Sequence, residues 1–295
     1  MFEFSGVIPA MVTPFKEDRS IDSNGLQKLV EYLAEAGCQG ILIGGSTGEY
    51  TLMSFEERKQ IIELAVEAAK NLNTTIIANT GCHATEHSIS LTQHAQKVGA
   101  DAVMILPTYY LKTTKKGIIN HYKLISENVD IPLTIYHYPE ATNVYLEPEE
   151  IIEISKLNNV VGIKNTAPMQ HTSKLLSLTK DLNNFNVLTG YEHLFLSTLA
   201  CGGDGVIGIV NNIVAKELLE MYKAIQKDNL TKAREINNSL IKLYDLMEEE
   251  PCPGPVKAAL QLMNLPAGPS RLPIVPASED IKRRIKEELI KLNKI

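Results

Sequence analysis

Apolar and polar residues follow two rhythms along this chain. Eight short runs rich in Val, Ile and small residues occur at GVIPAMV (6–12), GILIGG (40–45), TTIIAN (74–79), DAVMIL (101–106), PLTIYHY (132–138), VVGIK (160–164), NVLTG (186–190) and GVIGI (205–209). Runs of this length without polar alternation read as strands buried on both faces. Between them, segments such as SNGLQKLVEYLAEAG (23–37), SFEERKQIIELAVEAAKNL (54–72) and TEHSISLTQHAQKVGA (85–100) carry apolar residues at helical spacing. Ser54 with Glu57 three positions on predicts a capping box, and Thr85 is the expected cap of the helix it opens.

Successive strands lie roughly 20–35 residues apart, room for one crossover helix each time. Eight such units in a row predict an α/β fold of the (β/α)8 TIM-barrel kind. A doubly wound open sheet shares the local pattern and differs in strand order, which periodicity does not carry. Its dinucleotide-binding version is disfavoured, because no G-x-G-x-x-G opens the first helix. After the eighth strand the pattern is helical only, at 215–250 with a break near Asn229, then in GPVKAALQLM and SEDIKRRIKEELIKLNKI. The expected division is a barrel catalytic domain at 1–225 and a C-terminal helical extension at 226–295, packed on the barrel or on a neighbouring subunit.

In such a barrel the chemistry sits at the C-terminal ends of the strands. Those ends read GGSTGEY, LPTYY, IYHYPEATN, IKNT and TGYEH, with one lysine, several tyrosines, hydroxyls and glycines, and no compact metal-ligand cluster. That set suits carbonyl chemistry through an amine. Lys164 ends the sixth strand; a lysine amine attacks a ketone only when neutral, and desolvation lowers its pKa from about 10.4 towards neutrality. The imine then permits loss of a proton from the adjacent carbon, giving an enamine that adds to aldehydes. The position is equally open to a simpler reading, in which the strand has ended and the amine reaches water. Tyr136 ends the fifth strand as a candidate proton carrier, or as a rim residue with a wet hydroxyl. The Gly44–Glu49 turn, with Ser46, Thr47 and Gly48, offers amides and hydroxyls to a carboxylate or phosphate, or merely shapes a loop. His83-Ala84-Thr85-Glu86-His87 matches an H-x-x-E-H metallopeptidase pattern, but with Thr85 as cap His83 precedes the helix and the two imidazoles do not share a face.

Bulk properties narrow the partners. The 295 residues are 44% hydrophobic and 22% charged, as in ordinary soluble globular proteins. A net charge of −6 argues against nucleic acid or an anionic membrane as the main partner. The N-terminal MFEFSGVIPAMVTPFKEDRS lacks the form of a signal peptide, and no apolar stretch approaches the roughly 20 residues of a membrane span. Cys38, Cys82, Cys201 and Cys252 form no CxxC and read as small buried hydrophobes, so a cytoplasmic protein is expected.

Together GVIPAMVTPF, GGSTGEY, YYLK, YHYP, VVGIKNT, GPVKAAL and RLPIVP span essentially the whole chain. The ordered set resembles the pyruvate-dependent class I aldolases and lyases that include dihydrodipicolinate synthase, N-acetylneuraminate lyase and 2-keto-3-deoxygluconate aldolase. The resemblance implies a TIM barrel with a helical extension, usually a homotetramer built as a dimer of dimers, needing no cofactor or metal. It implies Lys164 as the Schiff-base lysine for pyruvate and Tyr136 as the proton shuttle. Ser46 and Thr47 match the pair around the pyruvate carboxylate, Thr47 also linking the tyrosines. Tyr110 matches a relay tyrosine that crosses the dimer interface, and Gly190 and Ile207 fall where the pyruvate pocket is shaped.

Departures bear on the second substrate. Ala141 stands where dihydrodipicolinate synthases carry an arginine for the carboxylate of aspartate semialdehyde, and nothing nearby obviously replaces a bidentate guanidinium. PEAT and VLTGYEHLFLSTLACGGDG look more like keto-deoxy sugar acid aldolases. Asn143 replaces a usual glycine and tolerates the left-handed backbone, while Asn165 replaces a frequent acidic residue beside the lysine. The leading expectation is therefore a lyase joining or splitting pyruvate and a hydroxy aldehyde, with a 2-keto-3-deoxy sugar acid as substrate. The alternatives are dihydrodipicolinate synthase, N-acetylneuraminate lyase and a keto-sugar-acid dehydratase. A catalytically inactive, pyruvate-binding regulatory barrel is the reading from a different class.

Overall fold

The computed structural model describes residues 4–295. Its strands are β1 (Gly6–Pro9), β2 (Gly40–Ile43), β3 (Thr75–Asn79), β4 (Ala102–Ile105), β5 (Leu133–His137), β6 (Val160–Asn165), β7 (Asn186–Thr189) and β8 (Gly205–Gly208). They form one sheet in the order β1-β8-β7-β6-β5-β4-β3-β2, and a parallel bridge Ala10↔Leu42 returns from β2 to β1. All eight predicted strands are present, in a (β/α)8 TIM barrel. The open-sheet alternative is excluded by that strand order.

Helices α1 (Ser23–Glu35), α2 (Phe55–Ala69), α3 (Thr85–Val98) and α4 (Lys115–Glu127) connect the first five strands. Short α5 (Pro139–Thr142), α6 (Pro148–Ser155), α7 (Met169–Thr179) and α8 (Phe195–Ala200) follow β5, β6 and β7. After β8 come α9 (Asn211–Gln226), α10 (Leu230–Glu248), α11 (Gly254–Leu262) and α12 (Glu279–Lys291), the helical C-terminal region the sequence predicts. Asn229 caps α10 by accepting from Lys232 N, which explains the break read there. The capping box at α2 is present in full.

Thr85 is not a cap. The N-cap of α3 is Ala84, without a side-chain bond, and the Thr85 hydroxyl lies 2.9 Å from His121 Nδ1. A partner 36 residues away thus outcompetes the local backbone amide. His83 precedes α3 and packs its ring 3.8 Å from that of Tyr109, so the H-x-x-E-H pattern does not form one helical face.

The chain clusters into two compact units, each discontinuous in sequence. One contains residues 4–6 and Ile77–Ile207; Ile105, Leu133, Ile135, Ile163 and Leu188 are fully buried there. Its central feature is the parallel pair β5–β6, with Tyr136 opposite Lys164 and His137 opposite Asn165. The other contains Val7–Ile76 and Gly208–Ile295. In it, the side-chain amides of Asn211 and Asn212 donate to Ile8 O and Ala10 O at 2.8 and 2.9 Å, stitching the start of α9 to β1. Among the described residues no helix is long and apolar enough to cross a membrane.

Candidate active site

Strand register builds the core of the site. Because Tyr136 and Lys164 are paired across β5 and β6, they project to the same side. Both are buried, Lys164 with 6% of its surface exposed, and Nζ stands 4.6 Å from the Tyr136 ring centroid. The amine does not reach into bulk water, which removes the simpler reading of a strand-end lysine. Tyr138 stacks beside Tyr136 with centroids 6.0 Å apart.

Gly190, just after β7, makes room for this lysine. A Cβ there would lie 2.9 Å from Lys164 Cε and 2.0 Å from Thr166 Oγ1. The Thr166 hydroxyl is buried with no protein partner, and sequence reasoning gave it no role. Ile207 is fully buried within β8. Tyr110 differs from all of these: it is 88% exposed and has a φ of 71°, a costly conformation for an aromatic residue. Asn143 adopts φ 56°, as its tolerance of the left-handed region predicts.

Asn165 does not share the face of Lys164. Successive side chains on a strand alternate, so it turns outward and is wholly buried under α6 and α7. Its Oδ1 lies 2.8 Å from His137 Nδ1, and its Nδ2 lies 3.1 Å from His171 Nδ1 and 3.0 Å from Thr172 Oγ1. Leu146 completes the set: its N–H donates to His137 Nε2 at 3.1 Å and its carbonyl is 2.9 Å from His171 Nε2.

The buried imidazoles carry a pH consequence. Burial pushes His137 and His121 down to about 4 and lowers His171 as well. Unfolded imidazoles titrate near 6.5, so below that pH the unfolded chain binds more protons than the folded one. Stability is complete above about 6.5 and is lost as pH falls from there towards about 4. Between pH 7 and pH 5 the loss is roughly 2 kcal/mol each for His121 and His137. Glu57, held near 2 by its hydrogen bonds to Arg271, stays ionised over that interval. The urea midpoint is expected to fall accordingly, and equal midpoints at the two pH values would overturn this account.

In the other unit the Gly44–Glu49 turn follows β2. Gly44 takes φ 65°, and Gly48 passes so close that a Cβ on it would lie 3.1 Å from Gly44 Cα. Thr13 Oγ1 donates to Gly48 O at 2.8 Å; Thr47 is buried and Ser46 exposed. Glu49, itself at φ 61°, anchors the turn from behind. Its carboxylate meets Lys257 Nζ of α11 at 2.6 Å and accepts from Arg271 N at 2.7 Å. Lys257 also donates to Pro269 O at 2.9 Å, and Arg271 forms a fork with Glu57. Both cations lie over the Phe15 ring, at 4.7 and 4.3 Å. GPVKAAL and RLPIVP thus act on this turn. The signal was a lone lysine in an apolar helical run, where an unpaired charge is prohibitive.

A buried lysine beside a tyrosine at the strand ends of a (β/α)8 barrel is the arrangement that a class I aldolase, a carbon–carbon lyase acting through a lysine Schiff base, requires. The chain belongs to the Dihydrodipicolinate synthetase family, whose model matches residues 3–292. A 4-hydroxy-tetrahydrodipicolinate synthase of Methanothrix thermoacetophila is 36% identical over 291 residues, covering 98% of this chain and 97% of its own. A dihydrodipicolinate synthase of Acinetobacter baumannii, solved in complex with pyruvate, has a TM-score of 0.94 at 32% identity over 99% of both chains. A monomeric dihydrodipicolinate synthase variant reaches 0.95 at 34% identity, covering 99% of this chain and 98% of that one.

Proposed function

We propose that the protein condenses pyruvate with aspartate semialdehyde, the reaction of a 4-hydroxy-tetrahydrodipicolinate synthase. The observation that carries the pyruvate half is the buried Lys164 amine 4.6 Å from the Tyr136 ring. End-to-end similarity to a named synthase supports the aldehyde half. In this mechanism Lys164 Nζ attacks the ketone carbon, and loss of water leaves an imine. A proton then leaves the methyl carbon to give the enamine, which adds to the aldehyde; hydrolysis or displacement of the imine frees the lysine. Tyr136 carries the protons. Ser46, Thr47 and the Gly48 amide hold the pyruvate carboxylate, while Gly190 and Ile207 shape the pocket. Tyr110 acts as a relay from a second copy. Its exposure, with that of Leu111 at 66%, supports a surface covered in a dimer of dimers.

A second reading, a 2-keto-3-deoxy sugar acid aldolase, is favoured by the aldehyde side. Ala141 is exposed and has no guanidinium to offer. Its neighbour Glu140 accepts a hydrogen bond from Tyr191 at 3.0 Å, putting a carboxylate where an anionic aldehyde wants a cation. The unpartnered Thr166 hydroxyl suits a substrate hydroxyl. The names of the relatives lend this reading no support.

The test is one panel. Condensation with aspartate semialdehyde is measured beside pyruvate release from 2-keto-3-deoxygluconate, its galactonate epimer, their 6-phosphates and N-acetylneuraminate. A kcat/KM for the semialdehyde at least a hundredfold above the rest supports the synthase; the reverse order supports the sugar-acid aldolase. Borohydride trapping of pyruvate without any turnover would leave only a pyruvate-binding barrel.

A further inference from the structure

The four groups behind the site close a ring with only one possible direction. A peptide N–H can only donate, so His137 Nε2 accepts from Leu146 and the imidazole proton sits on Nδ1. That proton goes to Asn165 Oδ1, which turns the Asn165 NH2 towards His171 Nδ1 and Thr172 Oγ1. His171 Nδ1 therefore accepts, its proton sits on Nε2, and it donates to Leu146 O, where the circuit ends. Every donor meets an acceptor. His137, Leu146 and Asn165 are fully buried and His171 nearly so, so water cannot substitute for a lost partner.

We propose that this ring is the positioning device for Lys164 and Tyr136, that Asn165 is the residue that closes it, and that it works only while both imidazoles are neutral. His137 and Asn165 directly follow Tyr136 and Lys164 and pair with each other across the two strands. The ring therefore locks the strand ends together on the outward face, while the reacting side chains occupy the opposite one. This role rests on the reading of Lys164 as the imine-forming residue.

An extra proton breaks the ring at a defined point. On His137 it opposes Nε2–H to the Leu146 N–H; on His171 it opposes Nδ1–H to the Asn165 amide donors. Turning the Asn165 amide over would relieve His171 but oppose the NH2 to His137 Nδ1–H, so no single flip repairs it. Glu147 and Glu149 favour a proton on His171 and Lys174 opposes it, but burial outweighs all three. On α6 and its cap, Glu147 and Glu150 close a capping box, and Glu149 pairs with Lys174 of α7 at 2.8 Å. Tyr145 presents ring contacts at 5.7 and 5.4 Å, Glu140 of α5 is bonded to Tyr191, and His137 and His171 face each other at 5.0 Å.

A carboxylate at position 165 reverses this logic. In Asn165→Asp the side chain only accepts, so His171 must carry a second proton to satisfy it. The variant's ring is complete below the new His171 pKa and broken above it, the opposite of the native protein.

Two measurements on the intact protein test this. With ¹⁵N-labelled histidine, long-range ¹H–¹⁵N spectra of the native protein should show His137 as the Nδ1–H tautomer and His171 as Nε2–H, both titrating below the ordinary imidazole range. The opposite tautomer at either residue, or titration near 6.5, overturns the ring. Second, the initial rate of pyruvate adduct formation, trapped with borohydride, is compared for Asn165→Asp and the native protein from pH 8.5 to 6.5. The ratio of variant to native rate should rise at least fivefold as pH falls, which cancels the protonation of the attacking amine common to both. A flat ratio overturns the positioning role. A native protein that forms no adduct at all defeats the Lys164 reading instead, and the spectra still decide the ring.

Discussion

Lys164→Ala is expected to abolish the borohydride-trapped pyruvate adduct and to lower turnover by at least about three orders of magnitude. The amine is the only group at the β6 end that forms a covalent bond to the ketone in this mechanism, so nothing shares its role. Its removal also shortens a buried side chain beside Gly190, leaving a gap rather than a clash. The fold should survive, and the variant should melt as one cooperative unit. Tyr136→Phe makes the useful contrast: it keeps the ring over which Nζ sits and loses only the hydroxyl, so turnover should drop by roughly 10²–10⁴ while slow trapping persists. An adduct of unchanged yield in Lys164→Ala, with its mass on another residue, would defeat this assignment.

The second large effect concerns stability. Lys257→Met removes the cation from an ion pair whose side chains are 3% and 0% exposed. Burial lowers the Lys257 pKa while Glu49 opposes that shift, so the pair is held by contact rather than by solvent. Breaking such a pair from one side typically costs about 3–5 kcal/mol, because the remaining carboxylate is stranded. Glu49 keeps the Arg271 N–H, which places the expected loss at the lower end. Glu49→Gln combined with Lys257→Met should recover a good part of it, since no buried charge is then left alone. Urea unfolding of both variants decides the matter; a single variant within 1 kcal/mol of native, or a double variant worse than the sum, contradicts the account. If the turn holds the pyruvate carboxylate as proposed above, pyruvate affinity should fall as well, because Glu49 ends that turn.

Much of the architecture was legible because burial and helical periodicity are local properties. Where prediction and structure part, the partner is distant. The first run extends to Val12, yet β1 ends at Pro9: Ala10 and Met11 keep single backbone bonds, to Gly208 O and Leu42 O, while Ala10, Met11 and Val12 all stay buried, and burial is what the sequence displays. Thr85 had every local mark of a cap and was drawn instead to His121. Asn165 was weighed as a neighbour of the reacting amine, although the two-residue alternation of a strand already turns it away. The roles of His137 and His171 do not show in the motifs that contain them. A histidine in the otherwise apolar end of a doubly buried strand was the available clue, since it must find partners on both nitrogens. The Lys164–Tyr136 pair is readable because adjacent strands in a barrel align their ends, whereas Tyr110 lies on the exposed surface of this chain, where no strand register places it.

The Gly44–Glu49 turn has a consequence for the order in which the protein can be made. Its anchors, Lys257 and Arg271, are encoded more than 200 residues downstream, and the unit that contains them joins Val7–Ile76 to Gly208–Ile295. Chains emerge from the ribosome N-terminus first, and domains usually fold in that order. Here the turn emerges early and waits for α11, leaving Glu49 without its buried partners until Lys257 and Arg271 are released. Ribosome-bound chains halted before Gly254 can bury β2 but cannot set the turn. Setting of this turn therefore depends on residues made more than 200 positions after it.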